Sequence, residues 1–198
     1  MTLALFDFDG TITTKDSLID FIQFTIGKSK YYKGLLVLSP ILILYKLKFI
    51  KNNIAKEKFI TYFFRDWDIK LFNKFAEQYS LNQIDKIVRK KAIEKIKWHQ
   101  SKGHQVVVVS ASIECWLKPW CEKHNISLIS TKLEIKDNRL TGKFATKNCF
   151  GIEKSNRVQK VYSLENIDFI YAYGDSSGDK ELLALADESY YKPFRKLS

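Results

Sequence analysis

A chain of 198 residues has room for one compact core and a sizeable insertion, and 45% hydrophobic with 14% aromatic content supplies the apolar surface that core needs. The formal net charge of +11 comes from 28 lysines and five arginines and reads first as compositional bias, with attraction to phosphate-bearing partners or an anionic membrane as the sharper reading; the few arginines and the lack of an RNA-binding signature argue against a nucleic-acid module. Cys115, Cys121 and Cys149 show no C-x-x-C spacing, so neither a zinc site nor a disulfide framework is expected, and no basic n-region precedes the first acids, so the chain is read as cytoplasmic.

Residues 3–8 read as a short buried strand that runs directly into Asp7 and Asp9. On a regular strand, residues two apart share a face. From Asp16 to about Lys102 the pattern is mostly helical, with polar breaks near Lys51–Asn53, Asp66–Asp68 and Asn82. Gln105–Val109 is a continuous β-branched run of the kind found in parallel sheets, followed by a helix from Ile113 to His124 and a short strand in "SLIS". "KLEIKDNRLTGKFA" alternates in polarity around Asp137-Asn138 and predicts a hairpin. A helix over Ile152–Ser163, a strand in "DFIYAYGD", a helix in "KELLALAD" and a last strand in "SYY" complete the chain.

Strand–helix alternation of this sort predicts an α/β protein whose parallel sheet is flanked by helices. Ligands then collect at the carboxyl ends of the strands, where Asp7, Asp9, Ser110 and Asp175 stand. The helical block has no strands to alternate with. It reads as an inserted cap over 13–95, leaving 1–12 and 96–198 as the core.

Two carboxylates as close as Asp7 and Asp9 repel unless a cation lies between them or one takes a proton. Asp175 and Asp179 add further oxygen donors, and with few histidines and unsuitable cysteines such a set selects Mg²⁺ over zinc. Mg²⁺ commonly works with phosphate substrates. One carboxylate could attack phosphorus and form an aspartyl-phosphate, while its neighbour protonates the leaving oxygen and later activates water. Ser110, the N–H groups at a helix start and a lysine such as Lys154 could neutralise the developing charge.

"DFDGT" (Asp7–Thr11), Ser110, Lys154 and "GDSSGD" (Gly174–Asp179), in that order, resemble the four motifs of the haloacid dehalogenase superfamily of phosphohydrolases. The resemblance implies a Rossmann-like core with a type I cap. It casts Asp7 as nucleophile and Mg²⁺ ligand, and Asp9 as general acid/base lending its backbone carbonyl to the metal. Ser110, Ala111 and Lys154 would hold the phosphoryl group, Asp175 would ligate the metal, and Asp179 would complete the acidic motif. Members that act as dehalogenases lack the second acid, so Asp9 implies phosphoryl transfer. "VSAS", "TGK", "NCFGIEK" and "AYGDSSGD" look like subfamily IB, which includes phosphoserine phosphatases. Two positions depart from that enzyme: Asp16 replaces the glutamate that reads the substrate amine, and Gly178 replaces an asparagine. Asp16 is therefore the specificity candidate.

The stretch "GLLVLSPILILY" (34–45) has lysines on both sides, and from Lys15 to Lys58 there are nine lysines against three acids. It is too short to span a bilayer, which needs about 20 apolar residues. One reading is a buried cap helix kinked at Pro40. The other is an element of residues 34–50 that dips into the inner face of a membrane with snorkelling lysines. A similar run in the phosphatidylglycerophosphatase C branch would make the substrate a lipid phosphomonoester. The leading expectation is a Mg²⁺-dependent phosphomonoesterase. Alternatives are a phosphatase of a small soluble metabolite such as phosphoserine, and a membrane adaptor with a vestigial site. His99, His104 and His124 are assigned to the surface or to helix ends. Trp98, Trp116 and Trp120 are assigned to packing, and Cys149 is read as a small buried side chain.

Overall fold

The computed structural model describes residues 1–195. Five strands, β1 (Thr2–Phe6), β2 (Gln105–Ile113), β3 (Ser127–Thr131), β6 (Phe169–Gly174) and β7 (Glu188–Tyr191), form a parallel sheet in the order β3-β2-β1-β6-β7. β1 lies at its centre, with Ala4 paired to Val106 on one side and Tyr171 on the other. Its unbroken apolar run follows from burial on both faces. Leu3, Leu5, Val107 and Val109 pack with Val158 and Leu182, from α7 (Ile152–Val161) and α8 (Lys180–Leu183). Ala4, Phe6, Val106 and Val108 pack instead with Ile96 of α5 (Lys90–Ser101) and with Trp116 and Trp120 of α6 (Glu114–Lys123). The α/β class and the parallel sheet are as expected.

Local differences matter for the site. β1 ends at Phe6, short of the strand expected over 3–8, and Phe8–Ile12 forms a wide turn with Gly10 at φ +85°. Asp7 and Asp9 therefore do not share a strand face. β2 runs past Val109 to Ile113, with an irregular register between Ser110 and Ile113, so Ser110 lies within the strand rather than after it.

Helices α1 (Ser17–Ile26), α2 (Lys28–Lys46), α3 (Asn52–Phe64) and α4 (Ile69–Asn82) form the insertion between β1 and β2. Asp16 and Asp68 cap α1 and α4, accepting from Ile19 N–H and from Lys70 and Leu71 N–H. The segments entering and leaving are bonded to each other: Thr14 N–H donates to Ile87 O and Arg89 N–H to Ile12 O, both at 2.8 Å. The boundary expected at 95/96 falls inside α5, whose Ala92, Ile96 and His99 are buried. The hairpin β4 (Leu133–Lys136) and β5 (Arg139–Phe144) turns at Asp137-Asn138 as predicted, both residues having the positive φ that such a tight turn requires. It docks on the insertion, through Thr61 Oγ1 to Gly142 O at 3.0 Å and Asp66 N–H to Leu140 O at 2.8 Å.

Two expectations are corrected. α2 is one helix from Lys28 to Lys46 and is not buried throughout. Tyr31, Gly34 and Leu38 face inward, while Leu36 is 76% and Val37 61% exposed. The carbonyl that Pro40 leaves unpaired, Leu36 O, accepts from Ser39 Oγ at 2.7 Å, which lets the helix pass through the proline. His99 ends α5 as expected but is fully buried rather than at the surface. Its Nδ1 faces His104 Nδ1 at 2.9 Å and its Nε2 faces the Tyr173 hydroxyl at 2.9 Å, so polar partners make the burial tolerable.

Candidate active site

The chain enters the site at the end of β1, where Asp7 N–H donates to Tyr173 O at 2.9 Å and ties β1 to β6. The Asp7 carboxylate is buried, and its Oδ1 accepts from Lys154 Nζ at 2.5 Å. Burial raises Asp7 to a pKa of about 6, against the opposing pull of Lys154. The turn then carries Asp9 away. Its Oδ1 accepts from Ser17 N–H at 2.7 Å, at the start of α1, and its Oδ2 accepts from the Ser112 hydroxyl. Burial raises Asp9 further, to about 7, with Asp16 adding like-charge repulsion and Ser112 pulling the other way.

Lys154, in the first turn of α7, is 2% exposed and bridges two carboxylates, with its Nζ also 2.6 Å from Asp179 Oδ1. Burial works against the ammonium, but Asp7 and Asp179 overcome it and hold its pKa above the usual lysine value. Asp179 Oδ2 accepts from the N–H groups of Asp175 and Ser176 and from Ser176 Oγ, so both of its oxygens are engaged. Burial raises Asp179, but Lys154 and Ser176 keep it below the usual carboxylate range. Asp175 accepts weakly from Thr11 Oγ1 at 3.3 Å and pairs with Arg195. A Cβ on Gly10 would lie 2.5 Å from Asp175 Oδ2, and only glycine combines the positive φ with that close approach.

Oxygens of Asp7, Asp175 and Asp179 come within 4.8 Å of one another. This all-carboxylate donor set, without histidine or cysteine, fits Mg²⁺. Both Asp179 oxygens are committed to Lys154 and the following loop, whereas Asp7 engages only its Oδ1 and Asp175 meets Thr11 weakly and the half-exposed Arg195. Ser110 is buried, and its Oγ accepts from Ser112 N–H at 3.0 Å, leaving its own proton free to donate.

Above these groups lies a cleft of about 370 Å³. Asp7, Asp9, Ser110, Ala111, Lys154 and Asp179 line its floor, and Leu18, Ile19, Leu42, Tyr45, Ala55 and Phe59 come from the insertion. The structure thus brings the sequence-predicted residues together, with Asp175 directly beside the cleft. Asp16 also lines it, but one of its oxygens is used in capping α1 at 3.1 Å from Ile19 N. Residues that were not singled out also matter. Ser17 and Ser112 hold Asp9, and Ser112 stood in the quoted "VSAS". Half-buried Lys56 of α3 reaches in to donate to Ala111 O at 2.7 Å. Burial pushes its ammonium below the usual lysine range, although Asp16 and Asp9 oppose this. No local pattern marks Lys56; only the fold of α3 over the sheet brings it there.

The sequence model of the haloacid dehalogenase-like hydrolases matches residues 4–184, from β1 through α8. The chain belongs to this family. Over 195 residues, 98% of this hydrolase and 86% of the relative, it is 31% identical to protein CicA of Caulobacter vibrioides. A Mycobacterium tuberculosis protein named as a probable phosphatase is 26% identical over 208 residues, 99% of this chain and 70% of that one. Among solved structures, a Bordetella pertussis protein of unknown function superposes with a TM-score of 0.78 at 21% identity, over 95% of this chain and 88% of that one. A phospho-aspartyl intermediate analogue of phosphoserine phosphatase gives 0.66 at 21% identity, over 94% and 84%. At these identities the solved structures establish the shared fold, a parallel sheet flanked by helices.

Proposed function

We propose that this hydrolase is a Mg²⁺-dependent phosphomonoesterase working through an aspartyl-phosphate on Asp7. The observation that carries this reading is the separation of roles between its two neighbouring carboxylates. Asp7 faces Lys154 and the acidic cluster, whereas Asp9 is turned away toward Ser17 and Ser112, and burial lifts both carboxyls above the usual carboxylate range. A carboxylate held beside a lysine suits the ionised nucleophile, and one held by a serine hydroxyl and turned from that lysine suits the proton carrier. Ionised Asp7 attacks phosphorus. Protonated Asp9 donates to the leaving ester oxygen, then as carboxylate takes a proton from the water that releases phosphate. Lys154 orients the Asp7 oxygen and, with the Ser110 hydroxyl, balances charge on the phosphoryl oxygens. Asp7, Asp175 and the Asp9 backbone carbonyl would hold Mg²⁺, which when bound supplies positive charge to the phosphoryl group. The insertion serves as a cap that closes the cleft from above.

The apolar wall of Leu18, Ile19, Leu42, Ala55 and Phe59 supports an ester whose alcohol part carries apolar bulk, such as the headgroup phosphate of phosphatidylglycerophosphate. A second reading rests on Lys56 and Asp16. They place one cation and one acid in the same cleft, as a small zwitterionic ester such as phosphoserine would require. Phosphate release from soluble and lipid esters, with and without EDTA, separates the two. Asp7→Asn is expected to abolish release from every ester, and full activity in that variant would refute the mechanism.

A further inference from the structure

The outer face of α2 is unusual for a helix on the surface of a folded domain. Its inner residues are Tyr31, Gly34 and Leu38, and Gly34 allows close approach to α3, since a Cβ there would meet the Phe63 ring at 2.3 Å. Its solvent face carries Leu36, Val37, Pro40, Ile43, Leu44 and Leu47. That spacing of i, i+1, i+4, i+7, i+8 and i+11 is one continuous helical stripe, but apolar where a polar one belongs. The turn that follows presents Phe49, 75% exposed. A contiguous apolar surface of this kind marks an interaction site.

The charge around the stripe identifies what it meets. Lys28, Lys30 and Lys33 are exposed at one end, and Lys46, Lys48 and Lys51 at the other. Residues 21–56 contain no acid at all. A second copy of this chain would bring the same lysines face to face, because a two-fold contact pairs a patch with itself. An apolar strip framed only by cations suits an anionic lipid surface, with the side chains entering the acyl boundary and the lysines reaching the headgroups. Among the described residues no helix is long and apolar enough to cross a membrane, so α2 would lie in the plane of the surface.

We propose that the solvent face of α2 and the turn after it, Leu36 to Phe49, is a docking surface for an anionic lipid bilayer. The inference deepens the phosphatase reading and rests on it for its purpose: Leu42 and Tyr45, interleaved with the exposed residues of the same two turns, form a wall of the catalytic cleft. Docking through this face therefore brings the cleft to the membrane surface.

Flotation of the full chain tests this, using vesicles of phosphatidylcholine alone and vesicles that also carry phosphatidylglycerol. The protein is expected to float with the anionic vesicles and to be released by high salt. Leu36→Ser and Val37→Ser are each expected to lower partitioning about tenfold. Lys46→Gln and Lys48→Gln are each expected to lower it about fivefold. None of these residues lines the cleft, so hydrolysis of soluble para-nitrophenyl phosphate should stay at the wild-type level, which also reports that the variants fold. Absence of flotation overturns the proposal, as does equal binding to both vesicle types or flotation unaffected by these substitutions. Sedimentation equilibrium showing a dimer that Leu36→Ser dissociates would assign the face to a second copy instead. A protein that floats but hydrolyses no ester would leave the docking surface standing and remove the phosphatase reading. One that hydrolyses but does not float would do the reverse.

Discussion

Replacing Lys154 by methionine should destabilise the protein in a pH-dependent way. The wild-type ammonium sits 2.5 Å from Asp7 Oδ1 and 2.6 Å from Asp179 Oδ1, with all three side chains almost fully buried. Methionine preserves much of the volume but leaves two like charges without their shared cation. Asp179 keeps three donors from Asp175 and Ser176, whereas Asp7 Oδ1 loses the lysine. Removing one partner of a buried ion pair costs about 3–5 kcal/mol. Burial already raises Asp7 from 3.8 to about 6, and loss of Lys154 raises it further. A carboxyl whose folded pKa lies above its unfolded value stabilises the fold at low pH, and that contribution is lost as pH rises through the folded pKa. The penalty should therefore be nearly complete at about pH 8 and shrink toward about pH 5, where Asp7 takes a proton. At roughly 2–4 °C per kcal/mol for a chain of this size, the melting temperature should fall by about 6–20 °C at the higher pH. Thermal melts of wild type and variant in EDTA at both pH values measure this. A loss of equal size at the two values, or no loss at the higher one, would refute the reasoning that couples the three charges.

With para-nitrophenyl phosphate, whose leaving group needs no proton, Asp9→Asn should retain the first phosphoryl transfer and lose the release step; a burst of nitrophenol followed by a stalled steady state in rapid-mixing kinetics is the expected trace. Burial and then the neighbouring Lys95 lower His99 from 6.5 to about 4, so stability should fall as pH drops from about 6.5 toward 4, by up to about 3 kcal/mol. Urea titrations across that range should show the slope, and His99→Gln should flatten it. Gly34→Ala places a Cβ 2.3 Å from the Phe63 ring and should cost about 1–3 kcal/mol by forcing α2 away from α3, which denaturant midpoints will report.

The residues that gather at the floor of the cleft could be picked out before folding because their motifs are local. Each of "DFDGT", "VSAS" and "GDSSGD" stands at the carboxyl end of an apolar run, and a parallel sheet gathers such ends along one edge. The hairpin was equally legible, since Asp137-Asn138 announces the turn that its positive φ values confirm. What escaped were relations between distant segments. Lys56 meets Ala111 O only because α3 folds across β2, and no spacing encodes that. His99 was assigned to the surface or to a helix end, and it does end α5, but its burial depends on His104 and on Tyr173, which lies in a strand 74 residues away. α2 misled for another reason. Its apolar residues occur all round the helix, so periodicity could not say which face would find a partner, and the nearest neighbour, α3, covers only one.

The hairpin belongs in sequence to the half of the chain that builds the sheet, but its hydrogen bonds run to α3 and to the loop before α4. Any swing of the helical insertion away from the sheet must carry it along. The swinging body is then made of two separate pieces of chain, and its hinges number four: ahead of α1, ahead of α5, and on either side of the hairpin. The first two are yoked by the bonds of Thr14 to Ile87 and of Arg89 to Ile12 and must rotate together. A fragment cut to the insertion alone would lose part of the surface that its helices fold upon.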